Sequence, residues 1–331
     1  MYIAIIRRLT ILMTLIVPAS IALAAPGDDV YRKQPPLPVP ADNAITPMRV
    51  ALGKALFFDP RLSGPQWVSC ATCHYPSLGW ADGLATGFGD EPGKPSRASP
   101  SLVNVAYSKI LMWDGRRSSL EDQVLKSRNM KVAGMEGRIS AIKGYRDLFE
   151  HAYPGEGITA NSIAKAIATF ERTIISADTP FDRWQKGEKN AVNDSAKRGF
   201  SLFRGKAKCE VCHEGYNFTD DGFHNIGVKT PAGMMEDVGR FEQRKVPSMK
   251  GAFKTPGLRE IAHSAPYMHN GIYKTLEEVV DHYDRGGDVK DNLDPNMTSL
   301  KLTAQEKTDL VEFMKSLSSK SIDFALPRLP Q

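Results

Sequence analysis

The sequence predicts a mainly α-helical chain made of two similar halves with long loops. Three observations predict it. Apolar residues recur at helical spacing in stretches along the chain, such as Val50, Leu52, Ala55 and Leu56, which is the pattern of a helix with one buried side. No run of alternating apolar and polar residues is strong enough to argue for a sheet. A C-x-x-C-H unit occurs once in each half, at Cys70-Ala71-Thr72-Cys73-His74 and at Cys209-Glu210-Val211-Cys212-His213.

The N-terminus places Arg7 and Arg8 ahead of an apolar run that ends at Ala22-Leu23-Ala24. A basic head, a short apolar stretch and a small-x-small exit read as a secretory signal peptide over residues 1–24. Pro18 and Ser20 interrupt the run, which falls short of the roughly 20 unbroken apolar residues of a membrane anchor. No later segment is apolar enough to span a bilayer, so the processed chain is expected to be soluble and exported to the periplasm. The formal charge of +5 comes from 43 basic and 38 acidic residues and falls to +3 once Arg7 and Arg8 leave. That balance excludes a nucleic-acid-binding reading.

Two domains are expected after the signal, at 25–185 and 186–331. Residues 25–48, with Pro35, Pro36, Pro38 and Pro40, read as an extended arm. A helix is predicted from Met48 to Phe58. The segment between His74 and Pro100 holds Gly79, Gly83, Gly87, Gly89, Pro92, Gly93 and Pro95 and reads as a long functional loop. Helical spacing resumes at Ser119–Ser127, Ile139–Tyr153 and Ala160–Ile175, where Pro180 stops the pattern. The charged stretch Lys186–Asp194 marks the boundary. The second half repeats the order: a helix at Ala196–Phe203, the second C-x-x-C-H, a Gly-rich loop, then helices at Leu276–Tyr283 and Thr303–Leu317.

An exported chain with four Cys would ordinarily suggest disulfides, but all four fall in the two C-x-x-C-H units and none is left over. The unit supplies two thiols for thioether bonds to haem vinyl groups and an adjacent base for iron, so it reads as covalent haem attachment. A redox dithiol would need neither the following His nor a second copy. Zinc would need four ligands drawn from distant halves. The candidate haem residues are therefore Cys70, Cys73 and Cys209, Cys212, with His74 and His213 as one axial ligand each. The other axial position decides between electron transfer and small-molecule activation. The remaining His residues are His151, His224, His263, His269 and His282, and none lies between Tyr75 and Glu150.

Several further segments bear on the family. They are Leu52-Gly53-Lys54-Ala55-Leu56-Phe57-Phe58-Asp59, Asp82-Gly83-Leu84, Ser99-Pro100-Ser101-Leu102-Val103-Asn104 and Trp113-Asp114-Gly115-Arg116. Phe170-Glu171-Arg172-Thr173, Lys254-Thr255-Pro256-Gly257-Leu258-Arg259 and Ala265-Pro266-Tyr267-Met268-His269-Asn270-Gly271 complete the set. In this order, around two C-x-x-C-H units, the chain resembles the bacterial di-haem cytochrome c peroxidases and their relative MauG along nearly its whole processed length. The resemblance implies two mainly helical cytochrome c domains, each with one c-type haem.

Two departures from the peroxidase pattern follow from the resemblance. The His that ligates the first iron at rest falls on Asp90 here, which implies a five-coordinate, peroxide-open first haem. The Met ligand of the second haem falls on Tyr283, as in MauG, where His and Tyr hold that iron. A hard phenolate stabilises ferric and higher states, whereas thioether sulfur favours ferrous iron. A core tyrosine at 283, with Met234, Met235, Met249 or Met268 as the ligand, is the alternative; His282 should point about 100° away on the helix. The resemblance gives Trp113 a relay role between the haems, compatible with a buried aromatic held by its indole N–H. It calls for a distal acid–base Glu some twenty residues later, where the local pattern departs and Glu136 is the candidate beside the reading of an exposed loop carboxylate. It also implies a calcium ion between the domains, with Ser264 and Pro266 matching two ligand positions and the amide position falling on Ala98.

Three functions follow. A MauG-like enzyme would use hydrogen peroxide, or oxygen plus electrons, to reach a high-valent di-haem state and oxidise a partner protein, the methylamine dehydrogenase precursor in MauG, whose product is a tryptophan tryptophylquinone. A peroxidase would reduce hydrogen peroxide with electrons from a small cytochrome c or cupredoxin. A di-haem electron carrier would do neither. Asp90 and Tyr283 favour the first.

Overall fold

The computed structural model describes residues 29–87, 97–127 and 134–331. The signal segment 1–24 and Asp90 lie outside the described residues. The architecture is mainly helical, with a single two-stranded ribbon among the described residues.

The first half contains α1 (Asp29–Arg32), α2 (Pro47–Phe58), α3 (Cys70–Cys73), α4 (Leu120–Leu125), α5 (Met135–Ser140), α6 (Lys143–Ala152) and α7 (Ala160–Glu171). Thr46 caps α2 by accepting from the Arg49 amide, with Pro47 at its first position, where a missing N–H costs nothing. The stretch expected as one helix over Ile139–Tyr153 is two, α5 and α6, broken at Ala141–Ile142. Pro180, expected only to stop a helix, opens α8 (Pro180–Gln185), with Thr179 and Asp182 forming a reciprocal cap. The second half adds α9 (Asp194–Arg204), α10 (Phe241–Arg244), α11 (Leu276–Asp284) and α12 (Ala304–Ser316). Strands β1 (Phe223–His224) and β2 (Phe253–Lys254) pair antiparallel.

Each half is organised by one helix crossing, α2 on α7 and α9 on α12. The same residues make both crossings close. Gly53 and Gly199 each open a Gly-x-x-Leu-Phe run, and an added Cβ would lie 1.9 Å from the Ala166 carbonyl oxygen at Gly53 and 1.9 Å from the Asp309 carbonyl oxygen at Gly199. Only a residue without Cβ permits backbones that near. Leu56 and Phe57 then fill the first core, and Phe203 with Phe313 the second.

The chain ends are exchanged between the halves. Tyr31, just ahead of the proline-rich arm, is buried in the second core, edge-on to Phe200 at 5.4 Å, and donates to Glu210 at 3.1 Å. Phe324, after α12, stacks on Phe58 at 5.4 Å and meets Trp80 at 5.0 Å in the first core. The Pro330 carbonyl accepts from Arg61, and the Gln331 carbonyl from the Gly144 amide. The arm is therefore anchored at its start, although residues 33–40 beyond it are largely exposed. Among the described residues no helix is long and apolar enough to cross a membrane.

Candidate active site

Both C-x-x-C-H units sit on one short turn of helix. In the first, α3 is capped by Ser69 and Thr72, and the His74 amide closes onto the Cys70 carbonyl. In the second, Lys208 at φ 54° leads into a turn over Cys209–Val211, and the His213 amide closes onto the Cys209 carbonyl. His74 Nδ1–H donates to the Trp80 carbonyl at 3.0 Å, and His213 Nδ1–H donates to the Phe218 carbonyl at 2.9 Å. A carbonyl can only accept, so each ring carries its lone pair on Nε2, the tautomer that binds a metal. Burial pushes both imidazoles below their ordinary range, which keeps that lone pair unprotonated.

No disulfide joins the four cysteines. Burial pushes the Cys70 thiol up, and the Cys209 thiol up to about 12. A redox dithiol needs the opposite shift. Cys70 and Cys209 are therefore buried, neutral thiols, which suits attachment.

One continuous cavity runs from the first unit to the second, with about 350 Å3 of space for the centre of a water-sized sphere. Its wall includes His74 from the first half and Cys209, Cys212, His213 and Tyr283 from the second. Trp113 also lines it and is fixed from both sides. Its indole N–H donates to the Ala98 carbonyl at 2.8 Å, and its own carbonyl accepts from the Lys254 amide at 2.8 Å.

An orphaned polar atom tests whether haem fits. Arg259 is 3 % exposed; its Nε donates to the Tyr216 carbonyl and its Nη1 to Asp182, but its Nη2 has no partner. Arg259 lines the cavity. A buried N–H without a partner calls for an acceptor in the cavity, and a haem propionate oxygen fits that need. Calcium fits less well. Ala98 offers only a methyl group, and its carbonyl already accepts from Trp113. The expected donor set is incomplete, and no step is assigned to that ion.

The comparisons agree with this geometry. Residues 47–190 match the family model described as di-haem cytochrome c peroxidase, and residues 196–318 match the cytochrome c model. The chain is 45 % identical to the methylamine utilization protein MauG of Methylorubrum extorquens over 309 residues, covering 91 % of this chain and 86 % of that one. It is 38 % identical to cytochrome-c peroxidase IdrP1 of Pseudomonas sp. strain SCT, covering 86 % and 84 %. A crystal structure of a MauG-like protein associated with microbial copper homeostasis superposes with a TM-score of 0.81 at 31 % identity, covering 87 % and 94 %. The chain belongs to the di-haem cytochrome c peroxidase and MauG family. It is a haem-dependent oxidoreductase of two cytochrome c-like domains with two c-type haems.

Within this family frame the expected residues separate. Tyr283, in the last turn of α11, faces the cavity beside Cys209 and Cys212, and burial raises its hydroxyl pKa well above the ordinary phenol range. Neighbouring His282 is fully buried and points elsewhere. Its Nε2 meets the Ile226 carbonyl at 2.9 Å and its Nδ1 the Tyr273 hydroxyl at 2.8 Å, so neither nitrogen is available to iron. Of the alternative sulfur ligands, Met268 lines the cavity, as do Met297 and Met314, whereas Met234, Met235 and Met249 do not.

Glu136 lies beside residues 128–133, which are outside the described residues. It sits half-buried in the first turn of α5 and is not part of the cavity wall. The polar side chains that the first half puts on the cavity wall include Gln123 on α4 and Glu171 at the end of α7, beside Ser99, Ser101 and Ser108. Sequence reasoning passed over Gln123 and Glu171. Gln123 lies one helical turn from buried Leu120, and Glu171 lies four residues beyond Ile167 on the apolar face of α7. A polar residue on a buried stripe was the available signal. At the second haem, His224 is clamped between Asp220 at 2.9 Å and Asp294 at 2.7 Å. Asp220 foremost, then the Cys212 sulfur and Asp294, raise its pKa to about 11.

Proposed function

We propose that this oxidoreductase is a MauG-like enzyme of the periplasm. It draws oxidising equivalents from hydrogen peroxide, or from oxygen plus electrons, and spends them on side chains of a partner protein. The methylamine dehydrogenase precursor, matured to its tryptophan tryptophylquinone form, is the partner that the similarity to MauG suggests. The carrying observation is Tyr283 on the cavity wall beside Cys209, Cys212 and His213. Bound haem supplies the iron that reacts with peroxide and stores the oxidising equivalents.

The chain's own residues do the rest. Cys70, Cys73, Cys209 and Cys212 tether the two groups. His74 and His213 present Nε2, oriented by the Trp80 and Phe218 carbonyls. Tyr283 would offer a hard oxygen to the metal of the second haem, a donor that favours the oxidised state. Trp113, held by both halves, provides an aromatic bridge across the seam. Arg259 anchors a carboxylate.

A second reading has its own support. Met268, Met297 and Met314 line the same cavity, and thioether ligation of the second haem would suit a peroxidase fed by a small cytochrome c or cupredoxin. Electron paramagnetic resonance of the resting ferric protein decides between them. The MauG-like reading expects one high-spin five-coordinate haem and one low-spin haem with nitrogen and oxygen axial ligands. Tyr283→Met should leave both haems attached and change only the low-spin signal, with loss of the long-lived oxidised state. A sulfur-ligated low-spin signal in the wild type, or two low-spin haems, overturns the reading.

A further inference from the structure

Tyr273 lies just before α11 and folds back against the end of that helix, at 6 % exposure in the second core. Its hydroxyl oxygen is 2.5 Å from Asp288 Oδ2 and 2.8 Å from His282 Nδ1, and it accepts from Arg285 Nη2 at 3.3 Å. Arg285 also fixes Asp288, its Nε donating to Oδ1 at 2.8 Å. The His282 Nε2–H donates to the Ile226 carbonyl, which leaves Nδ1 the acceptor on a neutral ring. One partner would satisfy a buried phenol. Here a carboxylate and an imidazole both stand ready to take its single proton.

The cluster also stands between the cavity and the surface. Tyr283 lines the cavity beside Cys209, Cys212 and His213. The His282 ring is edge-on to Tyr283 at 5.5 Å and lies 5.3 Å from the Tyr273 ring. Three rings therefore lead outward from the cavity wall, which Tyr273 itself does not line. At the outer end Arg285 is exposed and Asp288 half-buried. Burial, then the contact with Asp288, pushes the Tyr273 hydroxyl well above the ordinary phenol range. The phenol thus keeps its proton at neutral pH, and loss of an electron is tied to loss of that proton.

We propose that Tyr273 is a redox-active relay that carries oxidising equivalents from the second haem to the surface at Arg285 and Asp288. Tyr273 gives one electron to the haem that hydrogen peroxide has oxidised, and that haem is reduced by one electron. The Tyr273 O–H bond breaks, its proton passes to the Asp288 carboxylate, and a neutral phenoxyl radical remains. Arg285 and the newly protonated Asp288 then donate to the radical oxygen. One electron from the donor protein or the partner side chain, with the proton held on Asp288, restores the phenol. Two such turns consume the two oxidising equivalents of one peroxide. The inference rests on the peroxide-using reading above.

Tyr273→Phe is the discriminating variant, because it keeps the ring and its packing but has no hydroxyl proton to give. Haemochrome assay and the resting electron paramagnetic resonance spectrum establish that both haems are attached and unchanged. Samples frozen within milliseconds of adding hydrogen peroxide should then show a tyrosyl radical in the wild type. Its line shape should narrow when the protein is grown on ring-deuterated tyrosine, and the signal should be lost in Tyr273→Phe. Asp288→Asn keeps the hydroxyl and a neutral hydrogen-bonding partner but removes the base, and it should lower the radical yield. A wild type whose haems are oxidised by peroxide without a tyrosyl radical overturns the relay and leaves the functional reading standing, as does a radical that persists undiminished in Tyr273→Phe. Haem spectra that peroxide leaves unchanged in the wild type overturn the functional reading and the relay with it.

Discussion

The two halves share a frame and differ in what they place across from the attached His. Each has a glycine-tight helix crossing, a C-x-x-C-H turn and a histidine whose Nδ1–H is tied to a carbonyl. In the second half, α11 swings Tyr283 into the cavity. In the first, the described wall offers Gln123 and Glu171 beside Ser99, Ser101 and Ser108, all hydrogen-bonding groups. One frame thus carries two different sets of cavity-facing side chains. Chemistry resides in the few side chains that break the symmetry.

The helix crossings are the strongest place to break that comparison. Gly53→Ala and Gly199→Ala each drive a methyl into a backbone oxygen now 1.9 Å from the ideal Cβ. Overpacking costs about 1–3 kcal/mol or more, against up to about 1 kcal/mol gained in helix propensity. Each variant is expected to lower Tm by roughly 4–10 °C. If the halves are equivalent in frame, thermal melts followed at each haem's absorbance should show matched losses, Gly53→Ala first at the His74 haem and Gly199→Ala first at the His213 haem. A loss confined to one glycine would mean that only one crossing is under tension.

How much of this was legible in the sequence follows from the range of each interaction. The attachment units are local, because five consecutive residues carry the chemistry, and so Cys70 to His74 and Cys209 to His213 could be read directly. The long helices were legible from apolar spacing, whereas Tyr283 was singled out only by the family resemblance. Glu136 was harder to read, because distal placement depends on a loop path rather than on counting residues after Trp113. Glu171 and Arg259 stood inside motifs already noted, yet their free atoms become meaningful only when the cavity closes round them. The exchange of chain ends was illegible for the same reason: Tyr31 and Phe324 carry no local signal that their partners lie in the other half.

His224 sharpens the contrast next. It ties the segment after the second attachment unit, through Asp220, to the loop after α11, through Asp294. No such clamp stands beside His74 among the described residues. Its folded pKa, about 11, lies above its ordinary unfolded value near 6.5. A raised cationic group contributes stability that is fully present below the unfolded value and lost as pH rises through the folded one. His224→Gln is therefore expected to lower Tm at pH 6 by roughly 5 °C. The gap to the wild type should shrink steadily between about pH 6.5 and 11. A pH-independent gap would mean that packing, not charge, makes the clamp.

The smallest effect tests whether the halves are separable at all. Tyr31 belongs to the first half by sequence and to the second by packing, and Phe324 is its converse. Tyr31→Phe removes one hydrogen bond to Glu210, worth about 1 kcal/mol, and keeps the ring against Phe200. Phe324→Leu removes aromatic contacts with Phe58 and Trp80, worth about 1 kcal/mol. Each should cost roughly 2–4 °C, and the first spectral change should appear crosswise, at the second haem for Tyr31→Phe and at the first for Phe324→Leu. The Phe324 effect has a direct route, because the ring packs on Trp80 and the Trp80 carbonyl orients His74. If instead both variants disturb the two haems equally, the exchanged ends couple the halves into one cooperative unit, and the asymmetry between the sites rests on their side chains alone.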